Sequence, residues 1–241
     1  MHPSKARPRA VGALSLLLLP WLLPSLALAD GNPFKPDPGE SGFAIYGDAM
    51  QYLLPLSAAG ISLARHDSEG FRQVAAGCAL TIASTHLLKW AFNGTAWGRR
   101  PDGGTHSFPS GHTAAAQCGA LALQSRYGDR YGIPALALAT TVGMSRVGEQ
   151  RHHVRDVAAS TVLAWASARQ MGRDNPSISG VGPLASIAIV AAYGATDPDN
   201  RRHYALTDET ATPAEPVSFG LGLLPNGRGG VVPALQFMAA F

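Results

Sequence analysis

The chain is poor in cysteine and in charged residues, and each shortage excludes a class of protein. Its 241 residues include only two cysteines, Cys78 and Cys118, too few for a disulfide-stapled scaffold, and no cysteine–histidine spacing is typical of a zinc site. Charged residues make up 15% of the chain, and they form neither an acidic cluster suited to magnesium nor a basic, aromatic-rich stripe suited to nucleic acid. The sequence therefore predicts no metal, no cofactor and no nucleic-acid partner.

Long apolar runs are also scarce. Most are shorter than the ~18–20 residues that a bilayer requires, and the longest, within residues 69–92, is interrupted by Arg72, Gln73, His86 and Lys89. Many other positions are Ala, Gly, Ser or Thr, which suit close packing of helices. We therefore expect a soluble or peripherally attached protein rather than an integral membrane protein.

The first 29 residues are typical of a secretory signal peptide. Three basic residues precede an apolar stretch at residues 11–23 and a small-residue cleavage site at residues 27–29. Their removal takes the formal net charge from +3 to 0, so the basic composition does not indicate binding to a polyanion. The mature chain is expected to be exported, to a bacterial periplasm. Cys78 and Cys118 can pair in such an oxidising compartment, although their apolar surroundings favour buried free thiols.

After a leader at residues 30–42, apolar positions recur at helical spacing in five segments that are separated by breakers such as Gly94 and Gly128. The predicted helices are residues 48–65, 69–92, 112–126, 133–144 and 154–171. They predict an all-α domain over residues 43–175, in which side chains from helix ends and loops can converge on one pocket.

The C-terminal extension, residues 176–241, has a different character. Residues 197–216 are polar, charged and proline-containing, as in a linker or a long loop. Alternating apolar residues from Val217 to Leu223, a turn at residues 225–230 and a second apolar segment that ends at Phe241 predict a short β-hairpin. Residues 187–193 fit either a strand or a helix.

Two short motifs carry residues suited to phosphate chemistry. The first runs Ser145-Arg146, five residues, His152, three residues, Asp156. On a helix, His152 and Asp156 would share a face, where the carboxylate accepts a proton from one imidazole nitrogen and leaves the other as a nucleophile. The planar guanidinium of Arg146, reaching the same pocket from the preceding loop, suits phosphate oxygens.

The second motif is Pro109-Ser110-Gly111-His112. It supplies a hydroxyl, a glycine that lets backbone N–H groups approach an anion, and an imidazole for general acid work. A helix that begins just after Gly111 would favour bound phosphate at its N-terminus.

These motifs resemble those of the type 2 phosphatidic acid phosphatase superfamily, which includes bacterial acid phosphatases and vanadium haloperoxidases. The segments at residues 109–112 and 145–156 match residue for residue. The remaining family motif, a lysine with Arg-Pro seven residues on, matches only at Arg100-Pro101, because the nearest upstream lysine, Lys89, lies eleven residues before Arg100. Residues 93–98 look like an insertion. We expect Lys89 to reach the pocket across it, with Arg99 as the competing candidate.

The resemblance implies an all-α bundle of the acid phosphatase/haloperoxidase type and a metal-independent phosphatase. His152 would attack phosphorus to form a phosphohistidine, Asp156 would orient it, and His112 would act as general acid and then as general base. The groups expected to hold the phosphoryl oxygens are Lys89, Arg100, Ser110, Gly111 and Arg146.

The expected substrate is a lipid phosphate, such as phosphatidate, a polyprenyl phosphate or a lipid A phosphate, with contact to a membrane surface. A soluble phosphomonoester is the alternative substrate. A vanadate-dependent haloperoxidase, with His152 as the vanadium ligand, is an alternative enzyme class. A third alternative is a non-catalytic envelope component that binds through the hairpin, which the presence of His112, His152 and Asp156 argues against. The sequence does not specify an oligomeric state.

Overall fold

The computed structural model describes residues 41–172, 180–196, 218–225 and 231–238. The predicted signal peptide and most of the leader lie outside these residues. One compact unit extends to Asn200, and a second comprises Arg201–Phe241.

The first unit is helical, as predicted, and each of the five expected helical segments lies wholly or largely within a helix. The described residues form α1 (Gly42–Ala64), α2 (Ser68–Phe92), α3 (Gly111–Tyr127), α4 (Asp129–Gly148), α5 (Val154–Met171) and α6 (Val181–Thr196), with a short 3₁₀ helix at Ala96–Gly98. Residues 187–193, which fitted either a strand or a helix, are helical. Because α6 packs against α4 and α5, the helical unit continues past the predicted boundary at residue 175.

Helix α3 is the centre of the bundle. Every residue from Thr113 to Ser125 is buried, and α1, α2, α4 and α5 all pack against it. A helix surrounded in this way needs small or apolar side chains on all faces, which the alanine-rich sequence of α3 provides. At Gly119 helix α1 approaches α3 closely, since a Cβ there would lie 2.4 Å from the backbone nitrogen of Pro55 in α1.

A disulfide joins α2 to α3. Cys78 and Cys118 are bonded, with their Cα atoms 5.2 Å apart. The expectation of buried free thiols was therefore wrong. The two cysteines do lie in the core, but the helices that carry them pack together with these positions facing each other, which the separate sequence segments could not reveal.

The structure also corrects two helix ends that bear on the motif residues. Helix α4 continues to Gly148, so Arg146 lies on a helix and not in a loop. His152 precedes α5, so it does not share a helical face with Asp156. The reason is local hydrogen bonding: the carbonyl of Arg146 accepts from the N–H of Arg151 and of His152, at 3.0 and 3.1 Å, and closes a turn there. The Asp156 carboxylate then caps α5 by accepting from the His153 N–H.

In the second unit, strands β1 (Ser218–Pro225) and β2 (Val231–Met238) pair antiparallel, with Leu221 opposite Leu235. The turn at residues 226–230 that would join them lies outside the described residues, so the hairpin stays a prediction. Among the helices that the structure describes, none is both long and apolar enough to cross a membrane.

Two glycine substitutions test the packing around α3. Gly119→Ala would push a methyl group into the backbone of Leu54 and Pro55, so we expect a loss of ~1–3 kcal/mol in the free energy of unfolding. Gly60→Ala, on an exposed part of α1 with no atom within 4 Å of the new Cβ, should instead stabilise by ~0.5–1 kcal/mol. Denaturant unfolding measures both, and a Gly119→Ala protein as stable as wild type would contradict the close crossing of α1 and α3.

Candidate active site

The two motifs meet where the N-termini of α3 and α5 are joined by hydrogen bonds. The Ser110 N–H donates to the carbonyl of Asp156 at 3.2 Å. The Ser160 hydroxyl donates to the Ser110 carbonyl at 2.7 Å, and its oxygen also lies 2.9 Å from the Asp156 carbonyl. Residues some fifty positions apart in the sequence are thereby held side by side.

His152 is enclosed by protein, with 3% of its surface exposed. Its Nδ1 lies 3.5 Å from Oδ2 of Asp156, an ion-pair distance at which the described residues form no hydrogen bond to this nitrogen. Burial lowers the pKa of His152 to about 3, and the charges of Lys89 and Arg100 act in the same direction against the attraction of Asp156. The imidazole is therefore neutral at physiological pH, with a lone pair available on one nitrogen.

Asp156 is completely buried, and its two carboxylate oxygens differ in their hydrogen bonds. Oδ2 accepts from the Ser107 hydroxyl at 2.5 Å and from the His153 N–H at 2.9 Å, in addition to its contact with His152. Within the described residues Oδ1 has no hydrogen bond, and Nε of Arg155 lies 3.7 Å away. Although burial alone would raise it, the pKa of Asp156 lies below its usual value because His152 and Ser107 favour the carboxylate.

His112, in the first turn of α3, contacts an acid that is absent from both motifs. Its Nε2 lies 2.8 Å from Oδ1 of Asp48 in α1. Burial lowers the pKa of His112 below its usual value; the hydrogen bond and charge of Asp48 oppose this shift, and the charges of Arg146 and Lys89 add to it. The protonation of His112 is therefore set by a balance among groups from α1, α2 and α4.

Arg146 is nearly buried, and its guanidinium is held from three directions. Nη1 donates to Oδ1 of Asp48 at 2.8 Å, Nη2 to the carbonyl of Ala44 at 2.7 Å and Nε to the hydroxyl of Ser145 at 3.1 Å. Three of its five N–H groups are thus engaged with protein atoms, and two are left for an anion.

The start of α3 has the form of an anion site. The Ser110 oxygen accepts from the Thr113 N–H at 3.4 Å and from its hydroxyl at 3.0 Å, so Ser110 caps the helix and keeps its own proton to donate. Gly111 follows as the first helical residue. Its N–H and the positive end of the helix dipole therefore face the pocket together.

Lys89 reaches this helix start despite the insertion. Its ammonium donates to the carbonyls of His106 and Ser107, at 2.5 and 3.4 Å, and its Cε would lie 3.7 Å from a Cβ at Gly111. Its charge lowers the pKa of both His112 and His152. Arg99 is exposed, whereas Arg100 is half-buried and close enough for its charge to act on His152.

The insertion itself is packed rather than loose. The Thr95 hydroxyl caps the 3₁₀ helix by accepting from the Trp97 N–H at 3.2 Å. The Trp97 ring packs against Phe92 and Phe108, with centroids 6.0 and 5.0 Å away, and the Arg155 guanidinium lies over it at 5.1 Å. These contacts bring the chain back toward the motif residues, so that Lys89 and Arg100 both lie close enough to His152 for their charges to act on it.

The predicted site residues are therefore brought together, and two further ones join them. Ser107, which holds Asp156, has no sequence signal beyond its nearness to the Pro-Ser-Gly-His motif. Asp48 does have a sequence signal, because it is an acidic residue within the largely apolar segment of α1 and has no basic residue three or four positions away. In the part of the chain that the structure describes, no three His, Cys, Asp or Glu side chains lie close enough together to hold a metal ion.

The sequence is similar to a known protein family and to one named phosphatase. The sequence model of the PAP2 superfamily matches residues 70–174. The lipid A 4'-phosphatase of Helicobacter pylori (strain J99) is 30% identical over 147 residues, which cover 56% of this chain and 74% of that protein. No solved structure matches.

A site that gathers two histidines, an aspartate and three cations at one helix N-terminus can bind a phosphoryl group and stabilise its transfer. The chain belongs to the PAP2 superfamily and is a phosphoric monoester hydrolase.

Substitution of Lys89 and of Arg99 decides which of them serves the pocket. Lys89→Ala should lower kcat/KM by ~10²–10³-fold, the loss typical for one preorganised donor to a developing anion. Arg99→Ala, which removes an exposed cation ten residues further along the chain, is the matched control and should leave kcat/KM within a few-fold of wild type. Steady-state kinetics with an aryl phosphate measures both. An intact Lys89→Ala enzyme beside a crippled Arg99→Ala enzyme would transfer the role to Arg99.

Proposed function

We propose that this phosphatase removes the phosphate group from a lipid phosphate on the exported side of the cell membrane, through a phosphohistidine formed at His152. The observation that carries the proposal is the buried, neutral His152 beside Asp156, close to the capped start of α3. A neutral imidazole whose one nitrogen faces a carboxylate has its other nitrogen available for attack.

The chemistry follows from the two histidines. The Nε2 lone pair of His152 forms the N–P bond, while the P–O ester bond breaks and its electron pair goes to the leaving oxygen. His112 supplies the proton that this oxygen takes up, and Asp156 stabilises the positive charge on His152. In the second half, His112 removes a proton from water as the water oxygen attacks phosphorus, the N–P bond breaks, and phosphate leaves with His152 restored.

Cations and dipoles around the pocket hold the phosphoryl oxygens. Lys89, Arg100 and the two remaining N–H groups of Arg146 supply positive charge, while the Ser110 hydroxyl and the Gly111 N–H donate at the helix start. Because phosphoryl transfer spreads negative charge over these oxygens, fixed donors of this kind provide most of the catalysis.

Two observations support a lipid as the substrate. The first is the similarity to a protein named lipid A 4'-phosphatase. The second is an apolar face on α2 formed by Leu80, Leu87 and Trp90, which are 41%, 65% and 79% exposed and share one side of the helix by their spacing. This α2 face ends beside Lys89, so a lipid surface bound there would present phosphate groups near the pocket. A soluble phosphomonoester remains the alternative substrate.

Export rests on the signal-peptide pattern of residues 1–29, which lie outside the described residues. The disulfide between Cys78 and Cys118 supports it, because disulfides persist in oxidising compartments such as the periplasm. Phosphatidate, polyprenyl phosphates and lipid A phosphates all fit such a location.

The phosphohistidine mechanism is tested by substitution of the pair that forms it. His152→Ala should abolish turnover, and Asp156→Asn should lower kcat on the order of 10³–10⁴-fold, as when the orienting carboxylate of a catalytic triad is replaced. Rapid quench with a radiolabelled phosphate ester should trap an acid-labile, base-stable phosphoenzyme in wild type and none in His152→Ala. Hydrolysis at the wild-type rate by His152→Ala would refute the mechanism. A chelator should leave activity unchanged.

Introducing negative charge on the α2 face tests whether this face binds lipid. Leu87→Glu/Trp90→Glu should lose binding to vesicles that contain phosphatidate, and kcat/KM for the vesicle-bound lipid should fall at least tenfold, because two carboxylates oppose burial in a lipid interface. Hydrolysis of a soluble aryl phosphate should be unchanged. Val181→Glu, at a 71% exposed position on α6, is the matched control and should bind vesicles like wild type. Equal vesicle binding and lipid turnover by the double variant would contradict the role of this face.

A further inference from the structure

Asp48 lies outside the segment that matches the family, which begins at residue 70, and it belongs to neither catalytic motif. Its carboxylate nevertheless contacts one side chain of each. The Nε2 of His112 and the Nη1 of Arg146 both lie 2.8 Å from the same oxygen, Oδ1. A single carboxylate oxygen therefore links the two motifs through side chains.

We propose that Asp48 is a positioning residue of the phosphatase, which holds His112 and Arg146 in the pocket and favours the protonated form of His112 from which the leaving group takes its proton. The inference rests on the roles proposed for His112 and Arg146. It adds a third chain segment, the N-terminal half of α1, to the machinery of the reaction.

The N-terminal half of α1 is shaped for this contact. One turn before Asp48, the carbonyl of Ala44 accepts from Nη2 of Arg146 at 2.7 Å. Between them lies Gly47, where a Cβ would come within 2.4 Å of the Ser145 hydroxyl and 2.5 Å of Nη2 of Arg146. Only a residue without a side chain permits this approach, so Ala44, Gly47 and Asp48 together hold the guanidinium.

The charges around His112 explain why an acid is needed there. Arg146 from α4 and Lys89 from α2 both disfavour an imidazolium, and so does burial, while Asp48 from α1 favours it. From α5 and the loop before it come Asp156 and His152, which are paired with each other. Burial and the charge of Asp48 raise the pKa of Tyr52, one turn further along α1. Asp48 is thus the acid that hydrogen-bonds His112 and opposes the two cations.

The contact also selects which nitrogen of His112 can act. Because Nε2 faces Asp48, Nδ1 is left to meet the leaving oxygen. Transfer of its proton breaks the Nδ1–H bond and forms the O–H bond of the departing alcohol, while Asp48 keeps its hydrogen bond to Nε2. This division of the two nitrogens is the usual one for a histidine that is oriented by a carboxylate.

Asp48→Asn tests the inference, since it keeps the shape and the accepting oxygen but removes the charge. In the pH profile of kcat/KM, activity should fall as pH rises through the titration of the acid His112. Loss of the Asp48 charge should move this alkaline limb to lower pH by roughly one unit or more. At neutral pH the loss should be at least tenfold greater for an alkyl phosphate, whose leaving group needs a proton, than for p-nitrophenyl phosphate. Asp48→Glu should restore the limb toward its wild-type position.

Two further variants keep the outcomes distinct. Asp67→Asn removes a similar Asp–Arg pair, with Arg126 at 2.7 Å, outside the pocket; it should lower the melting temperature without moving the limb. His112→Gln should lose most alkyl phosphate hydrolysis. His112→Gln can be crippled while Asp48→Asn keeps the alkaline limb at its wild-type pH and loses kcat/KM equally for both substrates. In that case Asp48 is structural and the inference is wrong. If His112→Gln is as active as wild type, the proposed acid itself is wrong.

Discussion

The catalytic arrangement depends on the hydrogen bonds between the start of α3 and the first turns of α5. The Ser110 N–H donates to the Asp156 carbonyl there, and the Ser160 hydroxyl contacts the carbonyls of both residues. Each of these groups would be costly to leave unpaired in a buried place. The same bonds therefore also hold His112, at the start of α3, near Asp156 in the first turn of α5, so a change in the fold at this point would also change the site.

A second constraint is the balance of charge among the buried groups of the site. Lys89, Arg100 and Arg146 bring three cations close to two histidines, and burial adds to their effect by keeping His152 neutral. An arrangement of this kind attracts a phosphate dianion, whose negative charge offsets that of the three cations. On the proposed mechanism, bound phosphate therefore favours the protonated form of His112, which Asp48 holds in place.

The sequence predicted the helical architecture and the convergence of the motif residues, because both depend on local patterns. Helical periodicity is visible in the sequence, and the motifs at residues 109–112 and 145–156 are contiguous. The prediction that His152 lies on the same helical face as Asp156 was wrong, because no sequence pattern marks the turn that closes on the Arg146 carbonyl. Asp48 and Ser107 were missed for a different reason: each acts through a partner far away in the sequence, and one sequence contains no record of that partner.

The disulfide between Cys78 and Cys118 has a consequence for how this enzyme can change. It joins the helix that carries Lys89 to the helix that begins at Gly111, at a point well inside the bundle. Residues 93–98, at the start of the segment that connects these helices, are therefore relieved of part of the task of holding the helices together, and their number can vary at little cost to the site. The four extra residues ahead of Arg100 are an instance of that freedom. Exchange of residues 93–98 alone, which leaves Arg100, Ser107 and Ser110 in place, is accordingly a route to a different surface beside the site over an unchanged set of reacting groups.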